Sequence, residues 1–105
     1  MKKFLIDFES IDWQAPSQDM KFKSFVRDNQ RIRLVEFHEG FEEEDWCTNG
    51  HAGYVIDGNF SIDFNGNIER FKSGDTFFIP EGQESKHKAI LSQEERVLLL
   101  LFEII

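Results

Sequence analysis

Gly50-His51-Ala52-Gly53-Tyr54-Val55-Ile56-Asp57-Gly58-Asn59-Phe60-Ser61-Ile62-Asp63-Phe64-Asn65-Gly66 is the stretch that decides the fold. Within it Phe60, Ile62 and Phe64 alternate with Ser61 and Asp63, the two-residue period of a strand with one buried face. Asp57-Gly58 and Asn65-Gly66 bound the alternation, and both dipeptides supply the positive φ angles that a tight hairpin turn requires. One half-buried strand between two hairpin turns is therefore expected. Earlier in the stretch, His51, Gly53 and Val55 would share one strand face, and Ala52, Tyr54 and Ile56 the other.

Working outward, Ile32 and Leu34 alternate with Arg31 and Arg33, and Val35, Phe37 and Phe41 prolong a β-rich stretch. Thr76 to Ile79 and Val97 to Ile105 are further expected strands. The second is apolar on both faces, as in a strand sandwiched in a core or lying at a subunit contact. Short strands recurring about every ten residues, with weak helical periodicity, predict an all-β sandwich or barrel. Trp13-Gln14-Ala15-Pro16 reads as part of an N-terminal arm, so that residues 1–30 hold the arm and first strands and residues 31–105 the barrel core of one domain. Glu42-Glu43-Glu44-Asp45 reads as a solvated connection, because like charges repel and stay in water. Ser92 to Arg96 reads as a polar connection.

Twelve phenylalanines and a hydrophobic fraction of 40% in 105 residues suit an aromatic-rich β core rather than a disordered chain. A core of this size gains from pairing with a second copy, so a homodimer is expected. Twelve basic against twenty acidic side chains give a net charge of −8, which disfavours binding to a phosphate backbone. Asp7 interrupts Phe4-Leu5-Ile6 too early for a secretory signal, and no apolar run is long enough to span a bilayer. A single cysteine forms no intrachain disulfide and agrees with a reducing compartment. The expectation is a cytoplasmic protein with a small-molecule ligand and neither nucleic acid nor membrane as partner.

That cysteine, Cys47, lies four residues before His51, and His87 follows a second strand-like segment, Gly74-Asp75-Thr76-Phe77-Phe78-Ile79-Pro80-Glu81-Gly82. Folding would have to bring the three together. Thiolate and imidazole donors suit a divalent ion, zinc first, with iron or nickel tolerated.

The run from Asp45 to Gly82 resembles the cupin superfamily. Its first motif places two histidines one residue apart, then a glutamate, then a glycine seven residues after that glutamate. Counted back from Gly58, His51 falls at the glutamate position, Cys47 at the second histidine and Asp45 at the first. Gly74, Pro80 and Gly82 match the fixed points of the second motif, with four residues between Gly82 and His87 where the family has two. The resemblance implies a small double-stranded β-helix, or jelly-roll, barrel with metal ligands at Cys47, His51, His87 and Asp45. It also implies a metal-dependent enzyme acting on a small polar metabolite. The alternative is a non-catalytic barrel that binds a sugar or effector, with a structural metal or none. A closed four-ligand site including Asp45 would favour the binder, and an open position beside an aromatic-lined pocket the enzyme.

Other readings stay open at this level. Cys47 could be a nucleophile activated by His51 or His87 without a metal. His38 is a further donor candidate, although a strand-end histidine at the surface needs no ligand. Arg31, Arg33, Lys86 and Lys88 flank the expected mouth, either as exposed strand cations or as groups that orient an anionic substrate.

Overall fold

The structure, a computed structural model, describes residues 3–105. Eight strands follow in chain order: β1 (Gln14–Ser17), β2 (Met20–Arg27), β3 (Gln30–Phe37), β4 (His51–Phe64), β5 (Asn67–Lys72), β6 (Thr76–Ile79), β7 (Lys88–Ile90) and β8 (Val97–Ile104). Two 3₁₀ turns, Phe8–Ser10 and Gln83–Ser85, complete the regular structure. No helix among the described residues is long and apolar enough to cross a membrane.

All strand pairs are antiparallel, and β4 organises them. Its first half lies between β8 and β6 in a larger sheet that continues through β3 and β2 to β1. Its second half lies between β5 and β7 in a smaller sheet. The two sheets are thus joined through one strand and curl into a barrel.

The crossing point is Asp57-Gly58, where the sequence predicts a hairpin turn. The chain does not reverse there; a register shift between Val55 and Asp57 kinks β4 instead. Gly58 adopts φ +93°, and a Cβ at that position would collide with the Arg96 carbonyl oxygen. A bulge and a turn make the same demand on glycine, so the dipeptide alone does not separate them. Asn65-Gly66 does form the expected turn, with φ +56° and +105° and the Gly66 amide donating to Asp63 Oδ1 at 2.7 Å.

The expected arm is part of the sheet, since β1 pairs with β2, and Lys23 Nζ ties the preceding turn down by donating to the Phe8 carbonyl at 2.6 Å. On β3 the inward register belongs to Arg31, Arg33, Val35 and Phe37, while Ile32 and Leu34 face out. On β8, Val97, Leu99, Leu101 and Glu103 are buried, whereas Phe102 and Ile104 on the other face stay exposed. The core gathers Val35, Val55, Phe60, Val97 and Leu99, all within 1% of full burial. Phe37 stacks on Phe41 at 4.4 Å between ring centroids and closes one end of this core. Phe77 lies over Gly53, in a space that any Cβ would occupy. Each large side chain buried here contributes about 1.5–3 kcal/mol, and together they leave the polar residues to gather at the opposite end.

Candidate metal centre

Cys47 reaches the barrel through its own backbone. Its N–H donates to the His87 carbonyl at 2.9 Å, and the His87 N–H donates back at 3.0 Å, a single antiparallel bridge that sets the two residues side by side. His51 opens β4, and its register places it on the inward face with Gly53 and Val55. One ligand atom from each of Cys47, His51 and His87 lies within 4.8 Å of the others. Cys47 Sγ is 3.6 Å from His51 Nε2, and the two imidazoles meet edge to face at 5.3 Å.

The spacing before His87 finds its explanation here. Two residues beyond the usual cupin interval are wound into the 3₁₀ turn Gln83–Ser85, which starts at Gly82 with φ +123°. The turn ends where the Ser85 carbonyl accepts a hydrogen bond from His87 Nδ1 at 2.9 Å. With the proton fixed on Nδ1, Nε2 is left as the acceptor nitrogen.

His51 is oriented from the other side by Glu103, whose Oε2 lies 2.7 Å from His51 Nδ1, off the axis of its N–H bond. Glu103 is in turn held by Arg33, through Nε at 2.8 Å and a terminal nitrogen at 3.0 Å, and by Arg31 Nε at 2.9 Å. A carboxylate behind a histidine is the usual outer support of a metal-binding imidazole. Glu103 is absent from the sequence expectation. Its signal was present all the same, as the one charge in the run Val97–Ile105, in step with the inward residues Val97, Leu99 and Leu101.

Charge on these groups follows from their contacts. Hydrogen bonding to His51, and then to His87, brings the Cys47 thiol down to about 6 against the opposing effect of burial. Burial works against a charged His51, yet Cys47 and Glu103 prevail and raise it to about 9. The same competition, with burial opposed by Cys47 and the Ser85 carbonyl, raises His87. Burial also opposes ionisation of Glu103, but His51, Arg33 and Arg31 hold its carboxyl at about 2. Near neutral pH the sulfur is therefore negative, the form that binds a metal, while His51 is held as its cation and would release a proton on ligation.

Asp45 is not brought in. It is exposed, in a bend of the acidic connection, so the alternation that would align it with Cys47 is broken. Glu43 departs from the solvated reading of that connection, since its Oε1 accepts the Ala89 amide at 2.9 Å. His38 pairs with Glu36 at 2.8 Å, outside the cluster. Lys86 and Lys88 lie over the Trp46 ring, at 5.1 and 4.6 Å from its centroid, and do not line the cavity. The three donors open instead onto a cavity of about 310 Å³ whose walls include Arg31, Phe37, Phe41, Phe60 and Phe77.

No protein-family model matches the sequence, and no curated protein matches it. Solved structures do. The polyketide cyclase RemF from Streptomyces resistomycificus superposes with a TM-score of 0.82 at 15% identity, over 99% of this chain and 80% of that one. An RmlC-like cupin from Shewanella frigidimarina gives 0.79 at 18% identity, over 98% and 91%. The chain has the cupin fold. A sugar phosphate isomerase of the cupin superfamily from Silicibacter pomeroyi gives 0.79 at 13% identity, over 96% of this cupin-fold chain and 75% of that one. Identities this low carry the fold and not the activity.

Proposed function

We propose that Cys47, His51 and His87 hold a divalent metal ion and that the protein is a metal-dependent enzyme acting on a small polar metabolite. Convergence of the three donors on the wall of an aromatic-lined cavity, with Asp45 left in solvent, is the observation that carries the reading. One thiolate and two imidazoles suit zinc best, with iron or nickel tolerated. A bound ion would supply Lewis acidity at the cavity wall. The residues of the chain do the rest: Ser85 fixes the His87 tautomer, Glu103 steadies His51, and the phenylalanine walls offer apolar surface to the ligand. That a polyketide cyclase and a sugar phosphate isomerase share the fold supports a small-molecule substrate. Cobalt(II) added to the metal-free protein should produce a thiolate charge-transfer band that Cys47→Ser abolishes. A spectrum identical in both proteins would remove Cys47 from the ligand set.

The contact between Cys47 and His51 favours a second reading, in which the thiolate acts as a nucleophile with no metal. One-to-one alkylation by iodoacetamide that zinc does not slow would support it over the first.

A homodimer through the outer face of the larger sheet belongs to the same proposal. Phe78, 77% exposed, and Ile104, 84% exposed, flank Phe102 there and form an apolar shelf suited to a two-fold contact. Light scattering should give twice the chain mass at micromolar concentration, and a monomer mass would overturn the pairing. The single free thiol agrees with a cytoplasmic location.

A further inference from the structure

We infer that the ligand of this cavity is a small carboxylic acid, held as its carboxylate by Arg31 beside the Cys47, His51 and His87 centre. The inference rests on the proposed metal site only for what a second polar group of the ligand would meet.

Two guanidinium groups line the cavity, and they are not equivalent. Arg33 is committed. It grips both oxygens of Glu103, and its guanidinium lies over the Phe22 ring at 5.5 Å. Arg31 touches Glu103 through Nε alone, and neither of its terminal nitrogens has a hydrogen-bond partner among the described residues. Its side chain keeps 32% of its exposure. Glu103 already faces Arg33, Arg31 and His51, so it has no room for the rest of the Arg31 fork. Glu43, the other carboxylate of the cavity wall, accepts the Ala89 amide.

A guanidinium with one edge bound and its terminal nitrogens unpaired presents parallel N–H donors at the spacing of a carboxylate. One such fork, with Glu43 and Glu103 in the same wall, suits a singly charged planar anion better than a dianionic phosphate, which would meet two carboxylates and a single unspent cation. The rest of the wall, including Phe37, Phe60 and Leu99, suits the carbon skeleton. Glu103 also links Arg31 to His51, so a carboxylate on Arg31 lies near the three metal-ligating donors.

The test uses the full chain, zinc-loaded and again after chelator treatment, titrated calorimetrically with glycolate, pyruvate and lactate, each against its amide, and with inorganic phosphate. At least one acid should bind saturably while its amide does not, and phosphate should bind at least tenfold more weakly. Arg31→Gln should weaken that acid at least tenfold at unchanged far-UV circular dichroism, and Arg31→Lys, which keeps the charge but not the fork, should fall between. Arg31-dependent binding that persists in protein unable to retain zinc would uphold this inference while removing the metal reading. Zinc retention with no acid bound, equal binding of acid and amide, or full affinity in folded Arg31→Gln would overturn it.

Discussion

Strand β8 has a buried carboxylate near each end of its span, and the two are held in different ways. Glu95, just before the strand, takes the Ser92 amide at 2.9 Å and Arg70 at 2.9 Å, so its partners are a turn and one surface side chain. Glu103, near the end of the strand, takes two arginines from β3 and stands behind His51. The first arrangement closes a connection. The second orients a donor that faces a cavity, with more cationic partners than one carboxylate needs. Packing accounts for the Glu95 end, where Val97 is buried, while Glu103 stands behind His51 at the other.

Glu103→Gln should have the largest effect. It leaves Arg31 and Arg33 without their counter-ion and His51 without its support, at about 3 kcal/mol of stability, since Arg31 keeps some contact with water. Zinc affinity should fall roughly ten- to hundredfold. Urea denaturation and chelator competition measure the two separately. Loss of stability with unchanged zinc affinity would reduce Glu103 to the role of Glu95.

Glu95→Gln should cost less, about 1–2 kcal/mol, most of it from the turn amide. Arg70 is 66% exposed at its side chain, so the ion pair adds little. Zinc affinity should not change. The Ser92 amide, and then Arg70, hold the Glu95 carboxyl below the ordinary carboxylate range despite its burial. With the folded pKa depressed, its contribution is present above the unfolded value of about 4.5 and is lost as pH falls through the folded one. The variant should therefore show a flatter loss of stability below about pH 4.5 than the parent. Denaturation midpoints across that range check it, and parallel curves would refute the assignment.

The same contrast marks what was legible in the sequence. Strands β6 and β8 and the Asn65-Gly66 hairpin could be read from local pattern, because residue type and turn chemistry are properties of short stretches, whereas the meeting of Cys47, His51 and His87 is a product of tertiary folding. Asp57-Gly58 was misleading, since the positive φ it offers serves a kink as well as a turn. The Asp28-Asn29 turn between β2 and β3 has φ +51° and +65° without any glycine, and so lacks the strongest hairpin signal. On β3 the alternation of Ile32 and Leu34 with Arg31 and Arg33 does not say which set faces in, and pairing with β8, which sets Arg31 opposite Glu103, turns both arginines to the cavity. Asp45 matches a ligand position by count, but the chain bends before Cys47 and leaves it exposed, away from the other three. The facing of β3 and the kink at Gly58 depend on partners far along the chain, Glu103 and the Arg96 carbonyl, whereas the Asp28-Asn29 turn and the bend at Asp45 are local features without a strong sequence signal.

The most direct measurement is the zinc dissociation constant, by competition with a chromogenic chelator, for the untagged protein and for Cys47→Ser. The three-donor centre predicts one tight site per chain and at least a tenfold loss in the variant, with the barrel still folded by circular dichroism. Equal affinity in both proteins, or no tight site in either, would contradict it and leave Cys47 as an ordinary thiol beside two histidines.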